Sequence, residues 1–369
     1  MSLHDSLPTG CEPTCHGCRH RHLQPEASLE QKSQYLRRAL APWAGRLADV
    51  SAGSAADRLG YRDRVTLNAA WDAEQGWRFG LMRRDELIAI HECPVHTARV
   101  NHLVALLRTH LPPASRLPLA YLHVAGAQAT LIIKSRNFVA SDLEPLLAQL
   151  ACSGLEGLWV HCHPAAGRRL FARSGWHLAW GCAESLTHGG LVHGPTAFQQ
   201  LLPALHAASI DLACDYLAPG PATAVLDLYC GIGATLRRWS EEGAPALGIE
   251  LAGGAVECAA RNAPRAIVLR GTCVQRMPQI EEWWGAQQGQ RVVYVNPPRS
   301  GIEPDLGRAL CNALRPDRIA YLSCSAGTLA RDLAEFEAAG YQVDVLAPFD
   351  FFPNTHHVEC LALARARSA

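Results

Sequence analysis

An α/β fold in three parts is predicted for this 369-residue chain, and three observations carry the prediction. Beyond about residue 198, short apolar segments alternate strictly with helical ones. That is the pattern of a parallel sheet covered on both faces, a Rossmann-like domain. Between residues 60 and 192, strands and helices mix without that order, as in an α+β domain. Residues 1–25 are rich in Cys, His, Pro and Gly, cannot form a core, and so need an anchor. The predicted divisions are 1–25, 26–192 and 193–369.

Taken in order, residues 28–47 read as a helix. Residues 61–70 and 76–83 look like strands, and 96–110 like a helix. Strands at 119–124 and 129–134 flank Ala125-Gly126-Ala127-Gln128, a hairpin signal. Residues 142–152 read as helical again, and 157–161 as a short strand. The glycines of Gly189-Gly190 and Gly194-Pro195 mark the boundary, and a long helix then runs to Leu217. The strands of the alternating region fall at 224–228, 246–250, 266–269, 292–295, 318–322 and 343–346. In such a sheet, ligands sit at the carboxyl ends of the strands.

Composition narrows the class. The chain is 49% apolar but has no run of about 18 uncharged apolar residues, so no membrane span is expected. The N-terminus lacks the basic and apolar regions of a signal peptide, which points to the cytoplasm. There the 14 cysteines read as core residues, metal ligands or catalytic thiols rather than disulfides. Net charge is zero, yet residues 1–200 hold 20 Lys/Arg against 16 Asp/Glu and include Arg83-Arg84 and Arg168-Arg169. Almost all these cations are arginine, suited to bidentate phosphate contact.

Chemistry concentrates at four strand ends. Val225-Leu226-Asp227-Leu228-Tyr229-Cys230-Gly231-Ile232-Gly233 is a buried strand entering a glycine turn, a nucleotide-type loop. Glu250 ends the next strand, where a carboxylate can accept two ribose hydroxyls. The third glycine of a dinucleotide fingerprint is replaced by Leu236, so S-adenosylmethionine suits the loop better than NAD. Asn296-Pro297-Pro298-Arg299 overhangs the same crevice, and Arg299 stands where amine methyltransferases carry an aromatic. Cys324 closes an apolar run, and Glu359 follows 35 positions later, a pairing that suggests a covalent nucleophile with a separate base.

These motifs together resemble the RNA uracil-C5 methyltransferases over nearly the whole chain. The shared features are Phe198-Gln199, the Leu-Asp-Leu-Tyr-Cys-Gly-Ile-Gly loop, Pro-Pro-Arg-Ser-Gly, Ser-Cys with Thr328-Leu329-Ala330-Arg331-Asp332, and Phe-Pro-Asn-Thr-His-His-Val-Glu. Asn296, where many relatives carry Asp, resembles the subgroup that modifies a 23S ribosomal RNA uridine and lacks an N-terminal β-barrel domain. The resemblance implies a class I, S-adenosylmethionine-dependent enzyme making 5-methyluridine. It implies Cys324 as nucleophile, Glu359 as base, and Gln199, Tyr229, Glu250 and Asn296 around the methyl donor. The family usually has Asn-Pro after the nucleophile, whereas this chain has Ser325-Ala326.

Cys11, Cys15 and Cys18, with distant Cys93, offer four soft thiolates that favour iron–sulfur or zinc. The resemblance implies a four-iron cluster (4Fe-4S) on these four, although relatives space the first ligand more widely. The expected partner is RNA, ribosomal over transfer, bound by a monomer whose central domain contributes to RNA binding. A radical methylating enzyme, a zinc-anchored RNA-binding protein without turnover and a cytosine-C5 methyltransferase stay open as alternatives.

Overall fold

The first helix, α1 (Pro25–Ala39), departs from the predicted division. The sequence groups it with residues 26–192, yet Leu36 and Leu40 are buried among Leu226, Val293 and Tyr341 of the C-terminal half. In the computed structural model, which describes residues 7–367, two compact units are interleaved along the chain. One holds the stretch up to His22 and Ala55–Leu201; the other holds Leu23–Ser54 and Leu202 onward. The boundaries predicted at 25/26 and 192/193 both move, because residues 23–54 dock on the second core. The helix is also shorter than predicted. Pro42 follows it, and Ala41–Arg46 continues as a 3₁₀ turn.

The first unit is one seven-stranded sheet with helices on one face. Its strands are β1 (Arg64–Asp72), β2 (Gly76–Arg83), β3 (Glu86–Ala89), β4 (Leu119–Ala125), β5 (Gln128–Ile133), β6 (Gly157–Cys162) and β7 (Trp176–Gly181), in the order β3-β2-β1-β4-β5-β6-β7. Helix α2 (Ala98–His110) buries Val100, Leu103, Val104 and Leu107, the spacing of a single helical face. These pack on Val65, Leu67, Trp77, Phe79, Leu131 and Val160. The helix predicted at 142–152 is broken into short turns around α3 (Glu144–Leu147), where Pro145 lacks a donor. A two-stranded ribbon, β8 (Ser185–Leu186) with β9 (Val192–His193), closes the unit.

The second unit alternates as predicted. After α4 (Pro203–Leu217) come β10 (Thr223–Leu228), α5 (Ala234–Glu241), β11 (Ala246–Glu250), α6 (Gly253–Asn262), β12 (Ile267–Arg270), α7 (Met277–Gly285), β13 (Gln290–Val295), α8 (Pro304–Ala309), β14 (Arg318–Ser323), α9 (Ala326–Ala338), β15 (Tyr341–Phe349) and β16 (Glu359–Ala366). The sheet order is β12-β11-β10-β13-β14-β16-β15. Successive residues of β10 serve opposite cores: Val225 packs with α4 and α5, and Leu226 with α1 and α7. The order reverses between β10 and β13, so a crevice opens beyond their carboxyl ends. One strand breaks the predicted parallel pattern. β16 lies antiparallel between β14 and β15. No helix among the described residues is long and apolar enough to cross a membrane.

Candidate active site

The loop after β10 is shaped by backbone that few side chains tolerate. Tyr229, Gly231 and Gly233 have φ of 63°, 56° and 83°. A Cβ at Gly233 would stand 3.1 Å from Ala259 of α6, so glycine lets that helix close on the turn. A Cβ at Gly231 would meet nothing, which leaves its backbone open to a ligand. The turn is further held by the Asn262 amide, which donates to the Ile232 carbonyl at 2.8 Å. Beneath it, the fully buried Asp227 accepts from Thr235 Oγ1 (2.6 Å) and Trp239 Nε1 (2.9 Å). Burial pushes the Asp227 carboxyl up to about 7, against the opposing pull of those two bonds.

Glu250 ends β11 beside this loop, as predicted. Its carboxylate accepts from the Gly231 N–H at 3.1 Å and the Ala252 N–H at 2.7 Å, which fixes both oxygens at the crevice. Across the switch point, the Asn296 N–H donates to the Leu228 carbonyl at 3.3 Å and joins the two strand ends. The Tyr229 hydroxyl lies beside Cys273 and Glu303, and burial pushes its pKa well above the usual phenol value, keeping it protonated. An open glycine, a fixed carboxylate acceptor and a half-buried aromatic suit a nucleoside-bearing donor. Gln199 belongs to the first unit, where its buried amide nitrogen has no hydrogen-bond partner.

The antiparallel β16 brings the thiol and the late carboxylate together. Ser323 of β14 pairs with Cys360 of β16. Cys324 directly follows that pair on one strand and Glu359 directly precedes it on the other, so both lie at this end of the sheet, close enough for the Glu359 charge to act on the thiol. A parallel last strand would have carried Glu359 to the far end of the sheet, about 20 Å away. Glu359 is buried and Cys324 half-buried. Burial raises the thiol's pKa and the Glu359 charge raises it further, while Arg299 draws it down through its charge and a hydrogen bond.

Sequence reasoning missed how Arg299 is held and that it faces the thiol. The support comes from Asp332 on α9, which accepts from the Ile302 N–H (3.0 Å), the Tyr321 hydroxyl (2.8 Å) and Arg331 Nε (2.8 Å). Arg331 in turn donates to the carbonyls of Ser300 (3.2 Å) and Ile302 (3.3 Å). The Arg331-Asp332 pair therefore clamps the Pro-Pro-Arg-Ser-Gly loop against the helix that follows the nucleophile. Its only sequence signal was the shared Thr-Leu-Ala-Arg-Asp motif. The departure at Ser325-Ala326 also finds a use, because Ser325 is the N-cap of α9 and accepts from the Thr328 N–H.

In the first unit, Cys11, Cys15, Cys18 and Cys93 are electrostatic neighbours. Burial and then Cys93 push the Cys18 thiol up to about 11. Burial raises Cys93, and the Cys15 and Cys11 thiols add to it. The Asn101 side chain brackets Cys93, accepting from its N–H at 3.1 Å and donating to its carbonyl at 3.0 Å. Arg21 ties the loop by donating to the carbonyls of Pro13 and Cys15. Among the described residues, no three His, Cys, Asp or Glu side chains meet as a single-ion site. A tetrahedral ion held about 2.3 Å from each sulfur needs thiolates roughly 4 Å apart. A multi-iron cluster bridges a wider set of thiolates.

Comparison with known proteins follows the same lines. Residues 286–367 match the family model described as tRNA (uracil-5-)-methyltransferase. The chain is 31% identical over 376 residues to the 23S rRNA (uracil(1939)-C(5))-methyltransferase of Pseudomonas putida, covering 95% of this chain and 78% of that one. It is 27% identical to the enzyme of that description from Alcanivorax borkumensis, over 97% and 83% of the two chains. Among solved structures, the Pyrococcus abyssi tRNA (uracil-54, C5)-methyltransferase in complex with S-adenosyl-L-homocysteine is similar in fold. That match has a TM-score of 0.73 and 20% identity over 95% of this chain and 86% of that one.

Proposed function

The chain belongs to the RNA uracil-C5 methyltransferases, which use S-adenosylmethionine, and from that premise we propose that Cys324 and Glu359 carry out the reaction on a 23S ribosomal RNA uridine. Uracil C5 is a weak nucleophile. The Cys324 thiolate adds to C6, forming the S–C6 bond and placing the ring's electron pair on C5 and O4 as an enolate. S-adenosylmethionine supplies the methyl group that C5 then takes. Glu359 removes the proton left on C5, the C5–C6 double bond re-forms, and the S–C6 bond breaks to return the thiolate. Both ring carbons must be exposed for this, so the uridine leaves its stack.

One observation supports the reading most: the antiparallel β14–β16 pairing brings Cys324 and Glu359 to the same end of the sheet, where the Glu359 charge acts on the thiol. Glu250, Tyr229 and Asn296 are read as lining the donor side of the second unit's crevice. The Asn296 amide also offers a donor for uracil O4 and an acceptor for N3–H, the pattern that separates uracil from cytosine. Substituting Asn296→Asp should relax selection towards cytosine; unchanged selectivity would remove that role. Cys11, Cys15, Cys18 and Cys93 are read as ligands of a four-iron cluster that anchors the N-terminal loop.

The test is incubation with 5-fluorouridine RNA and methyl donor, followed by mass spectrometry. Fluorine at C5 cannot leave as a proton, so the methylated ring should stay bonded to Cys324. An adduct elsewhere, or none, would sink the assignment. The family model's description favours transfer RNA as a second substrate. Offering unmodified 23S and transfer RNA side by side decides between them.

A further inference from the structure

We propose that residues 163–175, between β6 and β7, form a preorganised arginine loop that grips the phosphate backbone of the RNA substrate. The inference rests on the RNA-methylating reading and adds where on the first unit the RNA is held.

The loop is unusually well fastened for an exposed connection. Phe171 packs edge-on to His123 of β4, with ring centres 5.1 Å apart. It also stacks against Trp176 at 5.6 Å, and Trp176 stacks on His161 at 4.0 Å. His161 Nε2 accepts from the Ala172 N–H at 2.9 Å, while Trp176 Nε1 donates to the Ala172 carbonyl at 2.9 Å. His163 Nε2 sits 3.1 Å from the Arg169 carbonyl. These anchors lie on the sheet face opposite the α2 core, so the loop is stapled flat on that face.

What the loop presents is charge. Arg168, Arg169 and Arg173 are all exposed, and residues 157–181 contain no Asp or Glu. β5 and β6 are the one parallel pair in this sheet, so the loops after both strands leave from the same end. The β5 loop adds exposed Lys134 and Arg136, and its Phe138 contacts His177 of β7 with ring centres 5.5 Å apart. Five cations thus share one end of the sheet, none in an ion pair with a carboxylate among the described residues. With the loop backbone held by these rings, less freedom is lost when its arginines meet phosphates. Half-buried Phe171 and Trp176 offer rings to an unstacked base as well.

The experiment compares the full-length protein with Arg168→Ala/Arg169→Ala/Arg173→Ala, using unmodified 23S ribosomal RNA and filter binding across a salt series. The triple variant should weaken binding by about tenfold or more, and flatten the plot of log affinity against log salt by about 2. Methyl transfer in a single turnover at saturating RNA should continue. As a comparison, Arg83→Ala/Arg84→Ala removes exposed charge from the β2–β3 turn and should bind as the parent does. Photocrosslinking with 4-thiouridine RNA gives a second readout, with crosslinks expected in residues 163–175. Parental affinity and slope in the triple variant, equal loss from the Arg83/Arg84 pair, or bound RNA without crosslinks there would each overturn the proposal. If the parent binds RNA through this loop but transfers no methyl group, it is the methyltransferase reading that fails.

Discussion

Cys324 is held in the form that does not react. Its thiol is raised by burial and by Glu359, while Arg299 and a backbone hydrogen bond oppose them. A protonated resting thiol limits stray alkylation, and the balance among three groups then decides when thiolate forms. Removing the Glu359 charge with Glu359→Gln should move the onset of Cys324 alkylation by iodoacetamide to lower pH. Arg299→Met should move it to higher pH. Peptide mass spectrometry separates this cysteine from the other 13, and any other order of the three profiles would contradict the assigned neighbours. Asp227 has a pH signature of its own. Its folded pKa of about 7 lies above the usual carboxyl value, so the folded chain keeps a proton that the unfolded chain has released. Stability from this site is therefore full below about pH 4 and lost as pH rises towards 7. Asp227→Asn mimics the protonated acid, and its melting temperature should fall less between pH 5 and 8 than the parent's. An equal fall in both would refute the buried-acid account. Cys324 and Glu359 stood out in the sequence as a candidate nucleophile and base because that chemistry restricts residue type. Arg299's contact with the thiol was not, because it depends on a clamp that Asp332 builds from another helix.

At the scale of elements, the strand–helix alternation was readable because each β-strand serves two cores and is apolar throughout. β16 was not among the predicted strands, and its antiparallel direction could not have been read from its apolar pattern, which reads the same either way. Nor did the pattern of α1 reveal its destination, although Lys32 explains it afterwards. This lysine is buried on α1 and donates to Asp350 Oδ1 at 2.5 Å and to the Phe352 carbonyl at 3.3 Å. Next to it, residues 47–51 run beside β15, with the Asp350 N–H donating to the Ser51 carbonyl at 2.8 Å. The segment thereby covers a sheet edge and pins the start of the loop that ends in Glu359. Lys32→Met would leave Asp350 buried and unpaired, at a cost of about 3–5 kcal/mol. The companion change Asp350→Leu should recover most of that loss when combined with it. Chemical denaturation of both single variants and the double variant measures the coupling, and simple additivity would show the pair to be incidental.

The whole molecule has separate cores in its two units, one in the first and two flanking the sheet of the second. The N-terminal loop belongs to the first. Cys15 packs against that core, and a Cβ at Gly17 would come within 3.1 Å of Leu81. Cys11, Cys18 and Cys93, raised by burial and by neighbouring thiols, are unfavourable as bare thiolates, and a bound cluster would remove that repulsion. If the proposed cluster is bound, its loss should be felt locally. In Cys93→Ser, hydrogen exchange should rise across residues 7–22 and around 91–96, whereas β10, β13 and β14 should keep the parent's protection. Iron content and visible absorbance should fall in step with the exchange. A uniform rise across both sheets would mean that the chain unfolds as one unit. Unchanged exchange in 7–22 would mean that Arg21 and the packing at Cys15 hold the loop without any metal.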